Sequence, residues 1–338
     1  MKQVRVTTLM LLAIVAIALL VGCSQQTEDG ELTTVRVSEV TRSVFYAPQY
    51  AAIELGFFED EGLTIDLITS DGADRVMTAL LTGAVDIGLS GPEAALYVFN
   101  QGRADFAVVF AQITQRDGSF LIAREPHPNF TWDDLRGGYV LAGRRGGMPY
   151  MALEYVVNQN GLIPGYDVEL NTTIQFAAMV TAFLGGAGDF VTAFEPVAST
   201  LELEGRGFVV ASVGEASGTI PYTAYYALGS FIESSPDVIQ GFTRAIARGQ
   251  QWVMENTPEH VAEVIRPFFP DADPIIMANA IARYIEIEAF ASVPMITYES
   301  FDRMQRVMES AGELTQRAPF DSLIDNSFAE AAVAGLEE

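Results

Sequence analysis

Thr78-Ala-Leu-Leu-Thr-Gly-Ala-Val-Asp86 returns, at an offset of 103 residues, as Thr181-Ala-Phe-Leu-Gly-Gly-Ala-Gly-Asp189. Six of the nine positions match. Each copy reads as the end of a helix, a glycine turn and an aspartate that starts a strand. Each strand then runs into a Glu–Pro neighbourhood, Gly91-Pro92-Glu93 in one copy and Phe194-Glu195-Pro196 in the other. A unit used twice at this distance predicts two lobes of shared architecture.

Working outward, strand-like and helix-like stretches alternate from residue 34 onward. Val35–Val40 alternates like a strand, and Pro48 opens a helical stretch to Phe58, proline being favoured in a first turn. Leu63–Ile68 and Val85–Leu89 read as strands, with a helix over Ala73–Leu81 between them and another opening at Pro92. In the second unit, Tyr139–Ala142, Phe190–Phe194 and Phe208–Ser212 read as strands. Met148–Asn160, Gln175–Leu184 and Val197–Glu204 read as helices. Tyr222–Leu228 looks like a strand returning to the first lobe, and the chain from Pro236 on is mainly helical. This alternation implies an α/β fold with a mostly parallel sheet. The expected division is 34–114 plus 223–338 for lobe one and 115–222 for lobe two, with crossovers near Gln112–Arg116 and Gly218–Tyr222.

The N-terminus reads differently. Lys2 and Arg5 precede an apolar run from Leu9 to Val21. That run is short of the roughly 20 residues a membrane span needs, and its basic start makes residues 1–22 a secretion signal. It ends Leu20-Val21-Gly22-Cys23-Ser24, which resembles the bacterial lipobox. The resemblance implies a diacylated Cys23 as the first mature residue, with residues 23–33 as the lipidated Cys and a polar tether.

Composition narrows the function classes. With 338 residues and 49% hydrophobic content, the chain can fill two cores and is not disordered. It carries 44 acidic against 19 basic residues, which argues against nucleic acid as a partner. Its one lysine, Lys2, leaves with the expected signal, so Schiff-base and P-loop chemistry are excluded. A single Cys excludes internal disulfides. No clustered metal-ligand set appears, and neither a metal nor another cofactor is expected.

Three stretches carry a family resemblance: Phe45-Tyr-Ala-Pro-Gln-Tyr50, Gly56-Phe-Phe-Glu-Asp-Glu-Gly-Leu63, and Ala79-Leu-Leu-Thr-Gly-Ala-Val-Asp-Ile-Gly88. The chain resembles the substrate-binding proteins of the group named for yeast thiamine-pyrimidine synthesis, alongside bacterial sulfonate, taurine and nitrate binders. The resemblance implies a two-lobed periplasmic-binding-protein-like fold of type II, with two crossovers and a ligand cleft between the lobes. It implies a monomeric solute-binding lipoprotein at the outer face of a cell membrane, serving an ABC permease and its ATPase. One enzyme branch of that group makes thiamine pyrimidine from its own His in a cleft and needs a Cys-rich motif. Here His127 lies in a proline-bracketed loop, His260 lies in a charged helix, and the Cys motif is absent. A binding protein is therefore expected, not an enzyme.

In open α/β sheets, ligands sit beyond the carboxyl ends of the strands. That rule selects Phe45, Tyr46 and Gln49 after the first strand, and Ser90 and Glu93 after the third. It adds Gln112 at the first crossover, Arg144 in Gly143-Arg-Arg-Gly-Gly147, Glu195 in lobe two and Tyr222 at the second crossover. Two ligand classes fit this set. Aromatic faces with amide and carboxylate partners suit a flat nitrogen heterocycle, such as a thiamine pyrimidine or riboflavin. Arg144, Arg145 and helix N-termini suit a small sulfonate, taurine or nitrate-type anion. Paired carboxylates would repel an anion, which favours the heterocycle.

Overall fold

The computed structural model describes residues 32–336; the expected signal, most of the tether and Cys23 lie outside them. In chain order the strands are β1 (Thr33–Glu39), β2 (Leu63–Thr69), β3 (Ile87–Ser90), β4 (Ala107–Thr114), β5 (Ser119–Ala123), β6 (Tyr139–Leu141), β7 (Glu169–Asn171), β8 (Phe190–Phe194), β9 (Phe208–Ser212) and β10 (Thr223–Leu228). Among the described residues they form two five-stranded sheets, ordered β2-β1-β3-β10-β4 and β7-β6-β8-β5-β9.

The two sheets share one plan. β1 pairs with β3 in parallel, Val37 opposite Ile87, and β6 pairs in parallel with β7 and β8. The fourth place in each sheet goes to a strand that has just crossed from the other sheet. β10 runs antiparallel to β3 and β4, and β5 runs antiparallel to β8 and β9. The sheets are thus mixed, where the sequence suggested mainly parallel pairing. β4 and β5 escaped the sequence reading because both are almost wholly buried. A strand covered on both faces is apolar throughout and loses the period of two.

The repeated nonapeptide has a structural cause. Gly83 and Gly186 adopt φ of 73° and 98°, a left-handed turn that favours glycine. The aspartates then clip adjacent strands together. The Asp86 carboxylate accepts the Arg36 N–H at 2.9 Å, and Asp86 N–H donates to Arg36 C=O at 2.9 Å. Asp189 does the same with Tyr139, at 2.9 and 2.7 Å. Each aspartate thereby satisfies backbone groups of the neighbouring strand, Arg36 just before the β1–β3 ladder starts at Val37 and Tyr139 at the start of β6.

The chain crosses between the sheets at residues 115–118 and 213–222, and the two crossings are tied together. Tyr222 N–H donates to Thr114 C=O at 3.1 Å, and Ile220 N–H to Gln115 C=O at 2.9 Å. Gln112 and Thr114, expected at the crossover, are the last turns of β4 itself. The helix Pro236–Glu255 packs on Ala47–Glu54 and on Ser327–Leu336. Other C-terminal helices reach across: Tyr298–Ser310 packs on Met148–Gln159, and Pro274–Glu286 touches both the Val44–Tyr46 turn and Val197–Leu203. The C-terminal segment, expected with lobe one, therefore also braces lobe two. From Thr34 on, the chain is one compact unit.

Candidate ligand-binding site

The strand ends converge on an aromatic cluster. Val44–Tyr46 forms a short turn because Ser43 accepts the Phe45 N–H and Pro48 then starts a helix. This turns Phe45 inward, where it is buried. Its ring centroid lies 4.7 Å from Tyr284, 5.8 Å from Tyr222, 5.9 Å from Tyr46 and 6.0 Å from Phe194. Such pairs contribute about 0.5–1.5 kcal/mol each beyond area burial. Phe194 belongs to the second sheet, so the cluster joins the lobes. Gly118 lets the first crossover pass over Phe45: a Cβ there would lie 2.8 Å from the ring's Cζ.

Glu93 opens the helix Glu93–Asn100 beyond β3 and is only 6% exposed. Its carboxyl approaches backbone groups of its own helix start and of Met148, which begins a helix of the other lobe. Burial pushes its pKa up to about 7, against the opposing pull of those backbone groups and of Arg144. Its Oε2 has no hydrogen-bond partner among the described residues. Tyr222, at the end of the second crossover, is also buried with an unpartnered hydroxyl. Desolvation and then Asp117 raise its pKa, with smaller contributions from Tyr46 and Glu93. Phe45, Tyr46, Glu93 and Tyr222 are thus brought to one place.

Of the other expected residues, Gln49, Ser90 and Glu195 have their side-chain polar groups engaged. Gln49 donates to Glu39 at 3.0 Å and accepts from the Tyr225 hydroxyl at 3.0 Å. The Ser90 and Tyr226 hydroxyls are paired at 2.6 Å. Gln112 donates to Met295 C=O at 2.6 Å, leaving its Oε1 buried without a partner. Glu195 accepts from Ser199 N–H at 2.9 Å and Ser199 hydroxyl at 3.0 Å, and pairs with Arg283 at 2.7 Å. Its own N–H donates to the Tyr284 hydroxyl at 3.0 Å. Arg144 stands exposed at the rim, in a loop that does lead into the helix Met148–Gln159. His127 and His260 are both exposed, His260 beside Glu263.

Sequence reasoning missed three participants. Glu39 at the end of β1 is buried and accepts from Arg42, Gln49, Tyr50 and Thr69, fixing the turn that carries Phe45 and Tyr46. Arg283 reaches from the C-terminal helices to both Glu195 and Glu202 of lobe two. Asp117 is buried in the first crossover. Only Asp117 carried a signal, the Asp-Gly-Ser turn at 117–119.

The chain matches the model of the NMT1-like family over residues 29–266. It is 41% identical over 311 residues to "Putative binding protein YtlA" of Bacillus subtilis strain 168, covering 92% of both chains. Among solved structures it is similar to the periplasmic nitrate-binding protein NrtA of Synechocystis PCC 6803, with a TM-score of 0.72 at 16% identity, covering 91% of this chain and 90% of that one. It is also similar to the alkanesulfonate-binding protein SsuA of Xanthomonas axonopodis pv. citri bound to MOPS. There the TM-score is 0.70 at 16% identity, covering 88% of this chain and 99% of that one. At these identities the structural likeness carries the periplasmic-binding-protein fold and leaves the ligand open.

Proposed function

The chain belongs to the NMT1-like family, and from that membership and the geometry of the cleft we propose an extracytoplasmic solute-binding lipoprotein of an ABC importer. It captures a flat nitrogen heterocycle, a vitamin or vitamin precursor, and delivers it to the permease without altering it. The observation that carries this reading is the inter-lobe aromatic cluster around Phe45 and Tyr46 with the unpartnered Glu93 Oε2 beside it. Aromatic faces grip a flat ring, and an acceptor at the edge reads its N–H groups.

A second reading rests on a specific feature. The N-terminus of the helix Met148–Gln159, with Arg144 at its approach, suits a small sulfonate or nitrate-type anion, the ligands named for the two structural neighbours. Glu93 approaches that same helix start, which disfavours an anion there.

A thermal-shift screen of riboflavin, pyrimidines, taurine, alkanesulfonates and nitrate separates the two. A ligand that binds only the folded state stabilises it by about 2.7 kcal/mol at 100 times its Kd. Stabilisation by a heterocycle alone supports the first reading, and stabilisation by the anions alone overturns it. Recovery of the bound compound unchanged after denaturation supports transport over catalysis.

The lipid anchor has its own test. Cys23→Ala is expected to release the protein from the membrane fraction, because anchoring needs acyl chains that alanine cannot accept. Fractionation checks it, and a variant retained as firmly as wild type overturns the anchor.

A further inference from the structure

Asp117 has no role in the ligand reading above. It is fully buried between β4 and β5. Its Oδ1 accepts from Ser119 N–H at 2.6 Å and Ser119 hydroxyl at 2.5 Å. Its Oδ2 has no partner among the described residues, like Glu93 Oε2 and the Tyr222 hydroxyl. The Tyr222 hydroxyl is within electrostatic reach of both carboxyls. Asp117 and that hydroxyl are close enough to act on each other, and what partnership they make brings neither of them a positive charge. Two buried carboxyls with no cation between them, one with an oxygen that has no partner, are costly unless something arrives to satisfy them.

Neither carboxyl is paired with a cation among the described residues. Arg116, the chain neighbour of Asp117, pairs with Glu288 at 2.6 Å. Arg144 acts on Glu93 only from the exposed rim. The remaining groups facing Glu93 are the hydroxyls of Tyr46, Tyr97, Tyr222 and Tyr226. Those facing Asp117 are Ser119, Tyr222 and Tyr284.

The geometry points to a ligand that supplies the missing positive charge: a flat ring bearing a protonated amine or amidinium, whose charged end is held by Asp117 and Glu93 together. This rests on the solute-binding reading and specifies the charge of its ligand. Charge-assisted hydrogen bonds to a buried carboxylate are the strong kind, and two of them orient the ring. A carboxylate from the crossover and one from lobe one then engage the ligand at the seam where the lobes meet.

The charge has a pH signature. In the empty site burial pushes both carboxyls up to about 7, so below that pH they hold protons. A bound cation favours the ionised forms and expels those protons. Affinity for a cation therefore rises as pH increases through 7 and levels off above it, while affinity for an anion falls. The surrounding tyrosines are all shifted upward, away from this window.

Three probes of one size test it by calorimetry: benzylamine, benzyl alcohol and benzoate, each at pH 6 and pH 8. Benzylamine is expected to bind best, and tighter at pH 8. Asp117→Asn and Glu93→Gln are each expected to weaken benzylamine by about 10- to 150-fold and benzyl alcohol far less, so that the preference for the amine collapses. Both variants mimic the protonated carboxyl and are expected to melt no lower than wild type, which verifies folding. Equal binding of amine and alcohol, preference for benzoate, or wild-type affinity in both variants overturns the cationic ligand while ring binding stands. If no ring probe binds and taurine or methanesulfonate does, the heterocycle reading falls with it.

Discussion

Glu195→Ala is expected to cost about 3–5 kcal/mol of folding stability, the range for removing one partner of a buried ion pair. The Glu195 side chain is fully buried and Arg283 is 27% exposed, so little solvent screening remains. Alanine would leave Arg283 with Glu202 alone and strip Ser199 of the acceptor for its N–H. Urea unfolding at neutral pH gives the value directly. A loss below about 1 kcal/mol would mean that the carboxylate contributes no more than a helix-dipole partner. Because Arg283 sits on a helix that also touches the Val44–Tyr46 turn, the same substitution is expected to loosen the join between the lobes.

Gly214→Ala is expected to be the most damaging small substitution near the cleft, costing about 3 kcal/mol. A Cβ at Gly214 would lie 2.0 Å from the Asp117 carbonyl oxygen, a backbone atom that cannot swing aside. Relief requires moving the 115–118 crossover, and with it the Asp117 carboxyl. Ligand affinity should therefore fall along with melting temperature. Gly335→Ala is the matched control, since nothing lies within 4 Å of its would-be Cβ. In that helix alanine should gain up to about 1 kcal/mol over glycine. Equal melting temperatures for the two variants would show that the crossover has slack at Gly214.

The two crossings are hydrogen-bonded to each other at Thr114–Tyr222 and Gln115–Ile220. Asp117 and Tyr222 thus belong to two crossing segments that are tied to each other. The Glu93 carboxyl and the Met148 backbone also approach each other, joining a helix start next to the first sheet to one next to the second.

The sequence alone determined the repeated unit and the order of most elements, because each depends on local physics. A left-handed turn selects Gly83 and Gly186, and the next strand needs Asp86 or Asp189 to hold an N–H of its neighbour, Arg36 or Tyr139. Proline at a helix start and apolar spacing placed Tyr46 and Glu93 at the starts of their helices. What only the tertiary structure decided is which polar groups are already partnered. Gln49, Ser90 and Glu195 were expected to face a ligand, but their bonds go to Tyr225, Tyr226 and Arg283, at sequence separations of 176, 136 and 88. The cost of an unpaired buried polar group is set by everything around it, not by its neighbours in the chain. That is why Asp117, which the sequence marks only as a turn residue, stands out in the folded protein as a fully buried carboxyl with no cation paired to it.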